Sequence, residues 1–246
     1  MHIAILETGR TNKKMPAHFI NYPDMFGTLF GDYATERGIH FSIVPVIEDV
    51  FPGDVHDYDG YLVTGSAFGV YDDAPFIPKL MDFLRDIYKA RIPLAGVCFG
   101  HQIIAHALGG HAQKWPEGWG LGIRPVQLLA PCPWMADGDA KATSNDNIDL
   151  IHIHQDQVTS LPENAVLVGT SDFCKNAMFA IDNIVFSMQG HPEFTNEYAA
   201  ALIDLKRDVI DTECIEDAHA TLKKTHQGEQ IGRWIMSFFA QHAKAA

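Results

Sequence analysis

"PLAGVCFGHQ", residues 93–102, decides the fold that we predict for this chain. Residues 93–97 are small or apolar and predict a strand, whereas residues 100–108 predict a helix. Cys98 would then occupy the turn that joins the strand to the helix. Gly100 permits a close approach of the backbone at this turn, and Gly109-Gly110 predicts the end of the helix.

Four runs in the first half of the chain are rich in Val, Ile and Leu and are bounded by turn residues: 2–9, 39–48, 60–66 and 92–98. Near-continuous apolar runs of this kind are typical of parallel strands buried on both faces. Between the last two runs, apolar residues repeat with helical spacing, at Leu80, Phe83, Leu84, Ile87 and Tyr88. The order strand, helix, strand predicts an α/β fold with a mostly parallel central sheet flanked by helices.

The second half of the chain predicts a region of short strands followed by a helical tail. Asp182-Asn183 separates two apolar runs and is a credible two-residue hairpin turn. From about Thr195 the pattern becomes helical, with an apolar face at Ile231, Trp234, Ile235, Phe238 and Phe239. We expect a single domain over residues 1–246, with a core over about 1–194 and a helical C-terminal extension over about 195–246.

The composition excludes several classes of partner. Acidic residues outnumber basic ones by 31 to 18, and the formal net charge of −13 argues against nucleic acid or an anionic membrane. The start of the chain reads as a first strand rather than a signal peptide, and no apolar run approaches the roughly 20 residues of a membrane span. The four cysteines lack any C-x-x-C pair, which predicts neither a disulfide framework nor a cysteine-based zinc site and favours the cytoplasm.

A cysteine at a strand-to-helix turn has chemical consequences. The thiol of Cys98 would lie beside the N–H groups of a helix N-terminus, whose partial positive charge favours the thiolate. The amide of Phe99 would point toward an oxyanion formed on a substrate. This is the arrangement of a nucleophile elbow, at the carboxyl ends of the strands where α/β sheets bind ligands. Alternatively, Cys98 is a small buried hydrophobic residue.

"MQGHPEF", residues 188–194, supplies the partners that a nucleophilic cysteine needs. His191 would accept the thiol proton, and Glu193 would hold the imidazole in the correct tautomer. Residues two apart in an extended segment point the same way, and Pro192 stiffens the backbone between them. Alone, H-P-E could belong to a surface loop; together with the cysteine elbow it indicates a Cys-His-Glu triad.

The sequence G-V-C-F-G-H-Q, followed much later by Q-G-H-P-E, resembles the class I glutamine amidotransferases. The resemblance covers most of the chain, from the first strand to about Glu193, and implies a flavodoxin-like sheet. It also implies that Cys98 is the nucleophile, His191 the base and Glu193 its orienting group. Gln102 matches the position that helps to hold the glutamine substrate.

Further positions follow from the same resemblance. Gly65-Ser66 matches the loop whose amide joins that of Phe99 in the oxyanion hole, and His154 begins a segment, 154–162, that lies along the substrate. Two departures concern the recognition of free glutamine: the loop reads "TGSAFGVYDD" instead of containing two glycines and a proline, and Ile153 replaces a serine. The variant loop looks more like the stand-alone branch of the family, similar to γ-glutamyl peptidases and to the glutaminase-like proteins of GMP synthase.

The resemblance implies hydrolysis of a small-molecule γ-glutamyl amide, either glutamine or another γ-glutamyl compound. The thiolate would form a γ-glutamyl thioester, which water would hydrolyse, and no metal or organic cofactor is required. One alternative within this class is a glutaminase subunit that supplies ammonia to a separate synthase. Tyr71, Trp115, Trp119 and Trp134 could line a pocket for bulkier leaving amines.

Three other readings of the sequence compete with this one. "HIHQD" (152–156) resembles the start of a zinc site in the metallo-β-lactamase superfamily, but that site needs a histidine where this chain has Gln157. Peptidase-like relatives of the same fold also have an elbow cysteine, but it is followed at once by histidine and glycine. The third alternative is a non-catalytic binding protein of the same fold.

Overall fold

The computed structural model describes residues 1–136, 142–144 and 146–243. The strands are β1 (His2–Leu6), β2 (His40–Val44), β3 (Gly60–Val63), β4 (Leu94–Val97), β5 (His111–Lys114), β6 (Gly120–Leu128), β7 (Asn147–His154), β8 (Asp156–Ser160), β9 (Ala165–Thr170), β10 (Met178–Ile181) and β11 (Val185–Met188). The α-helices are α1 (Tyr22–Glu36), α2 (Phe76–Lys89), α3 (Phe99–Ala107), α4 (Asn196–Asp204), α5 (Thr212–Thr221) and α6 (Gly228–Ala240). The predicted domain, 1–246, includes residues 137–141, 145 and 244–246, which lie outside the described residues.

Within the described residues, nine strands form one sheet in the order β2-β1-β3-β4-β11-β10-β9-β6-β7. The first five strands pair in parallel, and the remaining pairs are antiparallel. Only β6 and β10 therefore run against the common direction of the sheet. The predicted α/β fold with a mostly parallel central sheet flanked by helices is confirmed. The antiparallel half combines the short hairpin strands β10 and β11 with the longer strands β9, β6 and β7, and β5 pairs with β8 in a separate two-stranded sheet.

The hairpin predicted at Asp182-Asn183 is present between β10 and β11, which pair antiparallel. Asp182 and Asn183 have φ angles of 50° and 59°. Positive φ at both central residues is the requirement of a type I′ turn, and Asp and Asn tolerate it better than most residues. Because β11 also pairs in parallel with β4, this turn brings the segment after β11 beside the end of β4.

The helices cover the sheet with the apolar faces predicted from the sequence. Leu80, Leu84 and Ile87 of α2 are fully buried, as are the five predicted residues of α6. The α6 residues belong to the same apolar core as Ile3 and Ile5 of β1, so the C-terminal helix packs onto the first strand. Helix α1, which contacts α6, is not among the elements predicted from the sequence.

None of the helices in the described ranges combines the length and apolarity that crossing a membrane requires. The four cysteines are free thiols.

Candidate active site

Cys98 lies between β4 and α3, at the turn that the sequence predicted. Its φ of 54° and ψ of −105° are strained for a residue with a side chain. Glycines on both sides permit the turn because α3 lies very close to the sheet. A Cβ at Gly100 would come within 2.3 Å of the Val63 carbonyl oxygen, and one at Gly96 within 2.5 Å of the Ile104 side chain. The glycines are therefore a steric requirement of this turn.

The position of the Cys98 thiol is set from both sides of the turn. Its backbone N–H donates to the Met188 carbonyl at 2.9 Å, which fixes the turn to the end of β11. Phe99 begins α3, so its N–H belongs to the first turn of a helix, where no intrahelical acceptor exists. Cys98 itself is only 7% exposed. The mostly buried thiol therefore lies beside the unpaired N–H groups at the N-terminus of α3.

His191 and Glu193 follow β11; the His191 side chain lies near Cys98, and Glu193 contacts His191. The backbone N–H of His191 donates to the Ile151 carbonyl at 2.7 Å, and its ring stacks on Phe194 with centroids 4.0 Å apart. His191 Nδ1 is 2.8 Å from Glu193 Oε1. The imidazole and the Cys98 side chain both lie against Gly65 and interact electrostatically with each other. The structure therefore brings together the three residues of the predicted triad.

The electrostatics of this trio favour a charged imidazole. Burial alone would lower the pKa of His191, but the negative charges of Glu193 and Cys98 and hydrogen bonds to both raise it to about 10. Glu193 is buried as well, and its second carboxylate oxygen, Oε2, has no hydrogen-bond partner among the described residues. A buried carboxylate of this kind is tolerated when a cation pairs with it, and His191 supplies that cation.

The Gly65-Ser66 peptide lies across from the thiol and is held by two threonines. The Gly65 carbonyl oxygen accepts hydrogen bonds from the hydroxyls of Thr8, at 3.1 Å, and Thr64, at 3.2 Å. In a planar trans peptide the next N–H points the opposite way, so these bonds turn the Ser66 N–H away from the threonines. The Ser66 hydroxyl donates to the Thr8 carbonyl at 2.7 Å, which fastens the loop to the end of β1.

Gly65 also lies against the reactive side chains. A Cβ at this position would be 3.1 Å from His191 Cε1 and 3.7 Å from Cys98 Cβ. A side chain at Gly65 would therefore press on the imidazole. The loop needs glycine here for close approach, a role that complements the predicted one of supplying backbone amides.

Gln102, one turn into α3, is buried and points to the segment between β7 and β8. Its Nε2 donates to the Asp156 carbonyl at 3.0 Å and to Gln189 Oε1 at 3.1 Å. Both N–H donors of the side-chain amide are thus used inside the protein. The carbonyl oxygen, Oε1, is the atom of this side chain left for a ligand that carries an N–H group.

The side chains of His152 and His154 are buried and hydrogen-bond to each other, so they are not exposed as metal ligands. His154 Nδ1 is 3.0 Å from the Asp156 carbonyl, and its Nε2 is 3.2 Å from His152 Nδ1. Because a carbonyl only accepts, His154 carries its proton on Nδ1 and accepts from His152. Burial lowers the pKa of His154 to about 3 and that of His152 well below its ordinary value.

This pairing bears on two predictions for the H-x-H-x-D segment. Both ring nitrogens of His154 have partners inside the protein, so neither is left to bind a ligand directly. As for the zinc alternative, the described part of the chain contains no group of three or more His, Cys, Asp and Glu side chains placed to hold a metal ion.

Several contacts near the site could not be predicted from the sequence. Tyr22 of α1 is buried and hydrogen-bonds with Tyr198 of α4; burial raises its pKa, and the charges of Tyr198, Cys98 and Glu193 raise it further. Lys206, after α4, stacks over Trp119. Each pair joins distant parts of the chain, so no local pattern could have indicated it.

The four aromatic residues proposed for a pocket are separated in the structure. Trp134 is 1% exposed and packs against Phe186 and Phe238, so its assignment to a pocket was wrong. The Tyr71 hydroxyl donates to Asp156 at 3.0 Å at the surface. Trp119 lines a cavity together with Gln155 and Cys214, and none of the three triad residues lines it.

An α/β sheet with a cysteine on a strained strand-to-helix turn, beside a hydrogen-bonded His-Glu pair, is the arrangement of α/β proteins with a nucleophilic thiol. The family model of class I glutamine amidotransferases matches residues 18–205. The chain belongs to this family of enzymes.

Individual relatives agree with the family assignment. Gamma-glutamyl peptidase 3 of Arabidopsis thaliana is 31% identical over 85% of this chain and 84% of its own length. GMP synthase of Lactococcus lactis is 27% identical over 78% of this chain but only 32% of its own length. A solved glutamine amidotransferase from Methylobacillus flagellatus has the same fold, with a TM-score of 0.70 at 19% identity, covering 97% of this chain and 92% of its own.

Proposed function

We propose that the protein hydrolyses γ-glutamyl amides, with Cys98 as the nucleophile, His191 as the base and Glu193 as the carboxylate that orients His191. One observation carries this proposal: Cys98, on a strained turn, and His191 lie against the same residue, Gly65, and His191 is hydrogen-bonded to Glu193. A purely structural cysteine needs neither the strained backbone nor the buried ion pair.

In the first half of the reaction, the Cys98 thiolate attacks the carbonyl carbon of the γ-glutamyl amide. The electron pair of the C=O bond moves to oxygen, and the oxyanion accepts hydrogen bonds from the amides of Phe99 and Ser66. Loss of one such donor costs about 3–4 kcal/mol in other enzymes. The tetrahedral intermediate then collapses: the C–N bond breaks, His191 gives its proton to the leaving amine, and a γ-glutamyl thioester remains.

In the second half, water replaces the amine. His191, now neutral, takes a proton from water as the hydroxide attacks the thioester carbonyl. Collapse of the second intermediate breaks the C–S bond and releases glutamate, while the thiolate and the imidazolium are restored. Glu193 keeps Nδ1 protonated throughout, so that Nε2 is the atom that exchanges protons with Cys98 and the substrate. These steps use side chains and backbone amides of the chain alone.

Substrate recognition follows from the atoms left unused around the thiol. Gln102 Oε1 is an acceptor, which suits the α-ammonium group of the γ-glutamyl moiety. The Asp156 carbonyl accepts from both Gln102 and His154. His154 therefore supports substrate binding by fixing this segment, and Gln102 makes the contact.

The preferred substrates are γ-glutamyl compounds with an amine larger than ammonia. Support comes from the relative named a gamma-glutamyl peptidase, which aligns over most of both chains, and from the loop at 64–73, which departs from the pattern associated with free glutamine. Its Tyr71 donates to the carboxylate of Asp156, the residue whose carbonyl accepts from Gln102.

A second candidate is a glutaminase subunit that passes ammonia to a separate synthase. The observation in its favour is the alignment with a GMP synthase, of which this chain spans about a third. A glutaminase subunit would turn over slowly alone and accelerate with its partner, whereas a self-sufficient hydrolase needs no partner.

The proposal treats residues 1–246 as one catalytic domain in a reducing cytoplasm. The burial of α6 in the same core as β1 supports a single folding unit, and the four free cysteines suit a reducing compartment.

The test is hydrolysis by the purified protein alone, with free glutamine, a γ-glutamyl dipeptide and glutathione as substrates. We expect the peptides to be preferred and the Cys98→Ala variant to be inactive. Cys214→Ala is the matched control, because it removes a partly exposed thiol from α5. Near-normal turnover by Cys98→Ala would overturn the mechanism, and preference for glutamine would favour the synthase subunit.

A further inference from the structure

An aromatic ring lies parallel to the imidazole of His191. The centroids of the His191 and Phe194 rings are 4.0 Å apart, and their planes differ by only 5°. This separation is shorter than the roughly 4.5–7 Å of ordinary aromatic pairs, which also favour offset or edge-to-face arrangements. A cation, by contrast, is attracted to the face of an aromatic ring. The contact is therefore one that a protonated imidazole makes more favourably than a neutral one.

The ring of Phe194 is held in this position by its surroundings. Phe194 is 2% exposed. Its centroid lies 4.6 Å from that of Tyr198 in α4 and 5.8 Å from that of Tyr22 in α1. It shares an apolar cluster with Ile151 of β7, whose carbonyl accepts the backbone N–H of His191. Two helices and one strand therefore keep the aromatic face against the imidazole.

The imidazole is enclosed on its other sides as well. Glu193 Oε1 is 2.8 Å from Nδ1, and a Cβ at Gly65 would lie 3.1 Å from Cε1. Glu193 thus acts at the edge of the ring, whereas Phe194 acts on its face. Nε2 is the remaining nitrogen, and it is the atom to which the proposed mechanism assigns proton exchange.

We propose that Phe194 is a positioning residue, whose ring face holds the imidazole of His191 and stabilises its protonated form relative to the neutral one. This inference rests on the proposed function in one respect, namely that His191 exchanges protons during the reaction. It also specifies the kind of side chain that position 194 requires. An aliphatic residue would fill the space but lacks the negative ring face that attracts a cation.

The titratable side chains around His191 and Phe194 come from several elements: Glu193, Cys98, His152, His154, Tyr22 and Tyr198. The first two favour the imidazolium. The two histidines stay neutral because burial lowers the pKa of each, and the two tyrosines stay protonated because burial raises theirs. A change confined to the electron density of the Phe194 ring leaves all six in place, so it isolates the effect of the ring face.

The test introduces a trifluorinated phenylalanine at position 194 alone. Fluorine nearly preserves the shape of the ring but withdraws electron density from its face, which weakens the attraction for a cation. The pKa of His191 is measured by nitrogen NMR of labelled histidine side chains, with His191→Asn identifying its signal. We expect this pKa to fall by about 0.5 or more. Phe194→Leu, which removes the aromatic ring, should lower it at least as far.

The matched control carries the same fluorinated residue at Phe186. This ring lies on β11, is fully buried and contacts Trp134 and Phe238. The His191 pKa should then equal that of the wild type. An unchanged His191 pKa in the protein fluorinated at Phe194 would overturn the inference, even if Phe194→Leu altered the pKa through packing.

The NMR measurement needs no turnover, so the inference and the proposed function fail separately. In the protein fluorinated at Phe194, the alkaline limb of kcat/KM for a γ-glutamyl dipeptide should move to lower pH by the same amount as the pKa of His191. A lowered pKa with an unmoved alkaline limb would support the role of the stacked ring and contradict His191 as the base. An unchanged pKa in an active hydrolase would overturn the role of Phe194 alone.

Discussion

His191 and Glu193 share a 2.8 Å hydrogen bond between Nδ1 and Oε1, while Glu193 Oε2 lacks a hydrogen-bond partner among the described residues. The carboxylate is buried and depends on the imidazolium for compensation. In turn, the imidazolium owes its raised pKa to Glu193 and Cys98, against the opposing effect of burial. The imidazolium and the Glu193 carboxylate therefore stabilise each other's charge in a buried position.

Removing the charge of Glu193 should shift the pH profile of the enzyme. The His191 pKa of about 10 places the loss of the imidazolium, and of activity, on the alkaline side. In Glu193→Gln the negative charge is gone, so the pKa of His191 falls and the alkaline limb of kcat/KM moves to lower pH. We expect kcat/KM at neutral pH to drop at least about 10-fold.

The control for this substitution is Glu197→Gln, which removes an exposed carboxylate from the first turn of α4. Its pH profile should match that of the wild type. An alkaline limb that stays in place in Glu193→Gln would contradict the assignment of His191 as the group that Glu193 controls.

The two threonines that hold the Gly65 carbonyl should matter for kcat more than for KM. Replacing both Thr8 and Thr64 by valine keeps their shape and removes the hydroxyls that orient the Gly65-Ser66 peptide. A misdirected Ser66 amide weakens the oxyanion hole, so we expect kcat to fall about 10- to 100-fold. Thr28→Val, on the exposed side of α1, should leave kcat unchanged. A rise in KM at constant kcat would instead indicate a role in ground-state binding.

The close contact between α3 and β3 predicts a steric effect at Gly100. A methyl group there would lie 2.3 Å from the Val63 carbonyl oxygen, so either α3 or the sheet must move. We expect Gly100→Ala to lower the free energy of unfolding by about 1–3 kcal/mol and to reduce activity. Gly27→Ala, in α1 with open space around the added methyl, should be neutral or slightly stabilising. Urea denaturation of both variants measures the difference.

Buried neutral histidines should make the protein sensitive to acid. Burial lowers the pKa of His101 and of His154 to about 3. In the unfolded chain these groups bind a proton below a pKa of about 6.5. Between these values the unfolded state holds more protons, so the free energy of unfolding falls as pH decreases, by about 1.4 kcal/mol per pH unit for each histidine.

His101→Gln tests this prediction for one residue. The variant should reduce the slope of the free energy of unfolding against pH by about 1.4 kcal/mol per unit below pH 6.5 or so. His56→Gln, at an exposed position, should leave the slope unchanged. An equal slope in His101→Gln and the wild type would mean that His101 is not held neutral.

The elements predicted best from the sequence are those fixed by local interactions. The turn at Cys98, the helix over residues 76–89 and the hairpin at Asp182-Asn183 follow from residue spacing and turn chemistry. By contrast, α1 escaped prediction. It contains Gly31 with φ of 42°, which interrupts the helix, and glycine has a low helix propensity.

The contacts that complete the site join residues far apart in the chain. The hydrogen bond from Thr8 to Gly65 spans 57 positions, and the contact of Lys206 with Trp119 links the turn after α4 to a loop before β6. Such contacts are decided by packing of the whole sheet rather than by local propensity. The burial of Trp134 has the same origin, because Phe238 of α6 reaches it only in the folded protein.

The most direct test of the central claim is to trap the thioester. The wild-type protein is mixed with a γ-glutamyl dipeptide and quenched in acid, and its peptides are then analysed by mass spectrometry. We predict one γ-glutamyl group on the peptide that contains Cys98, sensitive to hydroxylamine and absent from Cys98→Ala. Turnover of the substrate with the label on another residue, or with full activity in Cys98→Ala, would contradict the mechanism.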